Sequence, residues 1–107
     1  MNSTPFEMDE EFLDRLIRRD AREAEEALML AILEDAIACF QKYALARRGK
    51  GQTLFQEAEN WILNEGNDWL FSFQNVCEVL GLNPKYLRQG LRQWKQKAEI
   101  TDAASRS

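Results

Sequence analysis

Histidine is absent from the chain, and its absence removes histidine-based triads, Cys/His zinc sites and Glu-x-x-His di-iron sites. Cysteine is scarce. Cys39 and Cys77 are the whole complement, too few for a structural zinc site, and each falls in an apolar helical pattern as a small core residue. Proline occurs only at Pro5 and Pro84, which leaves long stretches free to be helical. The longest apolar run, residues 27–33, is too short to span a bilayer. Residues 1–10 carry no basic segment followed by an apolar one, so no secretory signal is read and a cytoplasmic location is expected. No glycine-rich phosphate loop occurs, and Gly49-Lys50-Gly51 reads as a helix stop. The carboxylates show no convergent spacing for a metal. Neither catalysis, nor a metal, nor a cofactor is expected.

What is present is charge, unevenly divided. Over residues 1–35 eleven acids face four arginines, a balance of −7; the whole chain carries −4, so the remainder carries +3. Such asymmetry assigns one half to solvent or a partner and lets the other tolerate an anion.

No stretch alternates with period two, so the expected fold is all-α, with four to five helices. Thr4-Pro5-Phe6-Glu7 has the form of a capping box. Phe12, Leu13, Leu16 and Ile17 follow at helical spacing; residues 18–26 are almost wholly polar; Leu30, Leu33, Ile37, Phe40 and Ala44 then resume a seam. One long helix or two with a bend would fit. Gly49 and Gly51 are read as the stop, and Thr53-Leu54-Phe55-Gln56 as a second capping box opening a helix with Phe55, Ala58 and Ile62 inward. The expected organisation is an acidic helical segment over 1–52, a second helical region over 53–98 and a flexible tail over 99–107. Trp61, Trp69, Phe71 and Phe73 are expected in the core rather than as a base-stacking platform.

Residues 71–97 hold two helical patterns around a turn. Ser72 is an N-cap, with Phe71 and Val76 as its staple; Val76, Cys77 and Leu80 form one face; Gly81 supplies the left-handed turn, and Leu82 plugs the corner. Asn83 caps the next helix, Pro84 takes its first position, and Leu87, Leu91 and Trp94 form its inner face. Val76-Cys77-Glu78-Val79-Leu80-Gly81-Leu82-Asn83-Pro84, with Leu87 and Leu91, resembles the helix-turn-helix of sigma factor region 4 and of response-regulator output domains. This chain departs from those families with Cys77 where alanine is usual, Asn83 where serine is frequent, and Gly90 inside the second helix.

That resemblance implies a DNA-binding role, and the residues themselves suggest how. Residues 83–98 hold five cations and no carboxylate. With Leu87, Leu91 and Trp94 inward, Lys85, Arg88, Arg92 and Lys95 recur at helical spacing as one stripe, with Gln89, Gln93 and Gln96 beside it. Arginine can grip guanine or phosphate, and glutamine can bond adenine edges. The expected DNA-binding set is therefore Lys85, Tyr86, Arg88, Gln89, Arg92, Gln93, Lys95 and Gln96, facing double-stranded DNA in a small bacterial or phage-type regulator. Leu30, Leu33, Ile37 and Phe40 are the expected homodimer seam, in an antiparallel pairing that brings residues 15–22 near the partner's acids. The competing reading is a protein-interaction module, in which the acidic amino-terminal helix binds a protein partner and the basic helix docks on an acidic protein surface.

Overall fold

The structure, a computed structural model, describes residues 10–66 and 69–106. Its helices are α1 (Glu10–Tyr43), α2 (Gly49–Leu63), α3 (Phe73–Val79) and α4 (Pro84–Arg106), with no strand among the described residues. The all-α expectation holds. The capping box at residues 4–7 lies outside the described residues. Residues 18–26 do not bend the chain: α1 is one helix of 34 residues, about 51 Å long at 1.5 Å per residue.

The core draws on all four helices. Met29, Leu33 and Phe40 of α1 pack with Phe55, Ala58 and Ile62 of α2, with Phe73, Val76 and Cys77 of α3, and with Leu91 of α4. Each large apolar side chain so buried contributes about 1.5–3 kcal/mol. Aromatic edges organise the centre: Phe40 lies 4.9 Å from Phe55 and 6.2 Å from Trp94, and Trp61 meets Phe73 edge-on at 5.4 Å. The core crosses the expected boundary at residue 52, so the two halves share one interior. The expected tail from residue 99 is helical through Arg106.

Only the carboxy-terminal half of α1 enters this core. From Glu10 to Glu25 every residue is exposed, and the molecule measures 83 × 23 × 20 Å. The amino-terminal half of α1 therefore projects as an arm. Within it, Asp14 pairs with Arg18 at 2.7 Å and Glu23 with Arg19 at 3.1 Å, both at four-residue spacing.

The α1–α2 connection differs from expectation. α1 ends at Tyr43, and Gly49 and Gly51 both belong to the first turn of α2 rather than to a stop. Gly51 has a steric reason to be there: a Cβ would lie 3.0 Å from the Tyr43 ring and 3.1 Å from the Ala46 Cβ. Thr53 is not a cap but an interior residue of α2, its hydroxyl donating to the Gly49 carbonyl at 3.3 Å.

Candidate nucleic-acid interface

The α3–turn–α4 unit forms much as its local chemistry dictates. Ser72 Oγ accepts from the Asn75 backbone N–H at 3.2 Å and starts α3. At the other end Gly81 takes φ +75°, its N–H donating to Glu78 O at 3.2 Å and the Leu82 N–H to Cys77 O at 2.7 Å. These two bonds are the Schellman closure, which needs a left-handed residue. Asn83 Oδ1 then accepts from the Tyr86 N–H at 3.2 Å, with Pro84 as the first residue of α4. Leu82 does not plug the corner: it is 38 % exposed, as Val79 is 44 %. With Tyr86, 75 % exposed, they leave an apolar rim around this turn.

The structure divides the expected cationic stripe. Leu91 is buried and Leu87 and Trp94 are half-buried against the core, so the inner face stands as expected. Lys85, Tyr86, Gln89, Arg92, Gln93 and Gln96 are all exposed on the outer side. Arg88 is not part of that side and is buried instead. Its Nε donates to Ile62 O at 2.8 Å, and its Nη2 donates to Asn64 O at 2.9 Å and to Gln74 Oε1 at 3.1 Å. Its guanidinium also stacks over the Phe73 ring at 4.9 Å. The fork thus satisfies carbonyls at the end of α2, where a cation also meets the negative end of the helix dipole.

Lys95 is likewise turned toward α2. Its ammonium lies 3.5 Å from Glu59, 3.8 Å from Glu99 and 4.7 Å from the Phe55 ring centroid. A long cationic side chain beside Leu91 can lay its stem along the core and leave its head in a polar niche. Arg88 is thus corrected from a contact residue to a packing residue, and Lys95 is half-buried in its ion pairs rather than open. Among the described side chains of α4, the exposed cations are Lys85, Arg92 and Lys97.

The expected dimer seam is also largely consumed within the chain. Leu33 and Phe40 are buried in the core and Ile37 packs against it, leaving Leu30 exposed. Of the aromatics expected inside, Phe73 is buried and Phe71 half-buried, whereas Trp69 is 60 % exposed. Trp61 is half-buried, its indole N–H donating to Phe71 O at 2.9 Å. A polar feature that sequence reading missed is the 44–48 connection. Arg47 reaches Asp102 at 3.9 Å, which ties this connection to the carboxy-terminal half of α4.

Burial pushes the Cys77 thiol up to about 11, with Arg88 opposing the shift and Glu78 adding to it. Cys77 is an inert core thiol at neutral pH. No group of metal-ligating side chains stands together among the described residues. No described helix is long and apolar enough to cross a membrane. Comparison with known proteins returns no relative: no family model, no curated protein and no solved structure matches the chain.

Proposed function

We propose that the chain is a DNA-binding protein, a small cytoplasmic transcriptional regulator that lays the outer side of α4 in the major groove of double-stranded DNA. One observation carries this reading: Lys85, Gln89, Arg92, Gln93 and Gln96 share an exposed side of α4, and residues 83–98 contain no carboxylate in a chain of net charge −4. Arginine and glutamine are the side chains that read guanine and adenine edges, and Lys85 and Arg92 can neutralise phosphates. The helix-turn-helix resemblance supports the same reading, with Asn83 and Pro84 placing the start of α4 at the groove. The reading invokes no catalysis and no cofactor, and a second copy of the chain would present a second α4.

A protein-interaction role is the second reading. It is favoured by the apolar rim of Val79, Leu82 and Tyr86 around the same turn.

Fluorescence anisotropy with a random-sequence duplex, repeated across a salt series, tests the first. Binding that weakens as salt rises, and that Lys85→Gln with Arg92→Gln abolishes without altering the melting curve, is the expected result. Absence of binding at low salt overturns it.

A further inference from the structure

Where α2 packs back on α1, a groove of about 300 Å³ remains open, and no residue of α4 lines it. Half-buried Ile32 and Leu54 give it an apolar lining, with Trp61 and Trp69 beside them. Its charged residues are Asp35 of α1 and Glu57 of α2, one from each helix and both exposed.

The charge of this groove differs from that on the other flank of α2, where Glu59 is matched by Lys95 at 3.5 Å. Among the described residues, neither Asp35 nor Glu57 meets a cation or a hydrogen-bond donor, and no lysine or arginine lines the groove. Toward the 44–48 connection, cations return on the two helices at Lys42 and Lys50, seven positions from Asp35 and Glu57 respectively. That is about 10 Å along each helix, near the screening length of physiological salt.

The aromatic residues of the groove are held in place before anything binds. Trp61 is fixed by its N–H donating to Phe71 O at 2.9 Å and by the Phe73 ring at 5.4 Å. Trp69 meets the Phe71 ring edge-on at 6.1 Å and is still 60 % exposed. An indole is the best aromatic partner for a cation, and a ring already braced loses little freedom on binding.

We infer that this groove takes a basic segment of a partner protein, a short stretch carrying an arginine or lysine between apolar residues. The cationic head is matched by the two carboxylates and the indoles, and the aliphatic stem by Ile32 and Leu54. Charge selects this occupant. Duplex DNA and an anionic membrane surface are both repelled by unpaired carboxylates. Residues 1–9 carry Glu7 and Asp9 with no lysine or arginine. They also fall short, because Asp35 lies about 38 Å along α1 from Glu10 and nine extended residues span about 30–32 Å. A second copy would have to offer the exposed cations of α4, a head-to-tail contact that closes only as a ring. The inference stands whether or not α4 binds DNA.

Selection from a phage-displayed library of random linear peptides on the immobilised full chain tests the groove. The selected peptides are expected to carry arginine or lysine flanked by apolar residues. Asp35→Asn with Glu57→Gln should weaken their binding by on the order of tenfold or more while the melting curve stays in place. Trp69→Ala should weaken it by on the order of tenfold, and Trp69→Phe by less. Bound peptide should shift the indole N–H resonances of Trp61 and Trp69 and leave that of Trp94, on α4, unmoved. No enriched peptide, enrichment without cations, or equal binding by the doubly substituted chain overturns the proposal, as does a shift at Trp94 alone. A homo-oligomer of the native chain that the same two substitutions dissolve would make a second copy the occupant and likewise overturns it. Duplex affinity of the doubly substituted chain is measured separately and should not fall, so this proposal and the DNA reading are told apart.

Discussion

Arg88 binds the carbonyl oxygen of Ile62, 26 residues back along the chain, at 2.8 Å. Through the same guanidinium it holds Asn64 and Gln74, so one side chain joins the end of α2, the face of α3 and the first turns of α4. Removing it leaves carbonyls at a helix terminus without a donor. Arg88→Ala is expected to cost about 3 kcal/mol in denaturant unfolding, since hydrogen bonds to a charged group are each worth about 1.5–3 kcal/mol. Arg88→Lys should recover less than half, because an ammonium cannot reproduce the fork. A loss below about 1 kcal/mol would show that water replaces these bonds at no net cost.

Gly90 lies in the interior of α4, with open space where its Cβ would stand. Gly90→Ala is therefore expected to raise stability by about 0.5–1 kcal/mol, read as a higher melting temperature. If the variant melts higher yet binds duplex more weakly, the glycine marks close approach of the ligand to the helix backbone.

Cys77 gives the fold an alkaline limit. Its thiol is raised from 9.0 to about 11 in the fold, so above pH 9.0 the unfolded chain releases a proton that the folded chain keeps. The contribution is fully present below pH 9.0 and is lost as pH rises toward about 11. Unfolding free energy should fall across this window more steeply in the native chain than in Cys77→Ala. At pH 8 a thiol reagent should modify the half-buried Cys39 well before Cys77.

Arg92 and Lys95 separate a groove contact from a packing contact. If α4 binds duplex by its outer side, Arg92→Gln should lower the slope of log affinity against log salt by about one. Lys95→Gln should leave that slope unchanged, because its ammonium is held between Glu59 and Glu99. Equal effects of the two substitutions would place the bound duplex on a different side of α4.

The parts of the fold legible in the sequence are those set within a few residues. The Ser72 cap, the Gly81 closure and the Asn83–Pro84 start rest on bonds between near neighbours. Gly49 and Gly51 were harder to read, because glycine near a helix boundary is compatible with the end of one helix or the start of the next. The Tyr43 ring that gives Gly51 its reason is invisible until α2 packs back on α1. Arg88 was misplaced for a related cause. Periodicity sets it on the flank of the Leu87–Leu91 face, and only the distant carbonyls of Ile62 and Asn64 decide that it turns inward. The α1 seam is legible as apolar, and α2 and α3 together occupy it. Periodicity shows that a face will be buried and does not say against what.

The single helix α1 is half buttressed and half free-standing, and this grades its stability along its length. An isolated helix of the arm's length is marginal in water, so amide hydrogens from Glu10 to about Glu26 should exchange through local fraying, while those around Leu33 and Phe40 exchange only with global opening. The protection boundary should fall near Met29, the first buried residue of α1. Because no proline or glycine interrupts α1, any partner that covers the exposed arm would push that boundary outward, turn by turn. Its position along the helix then becomes a residue-resolved gauge of occupancy, readable without knowing the partner in advance.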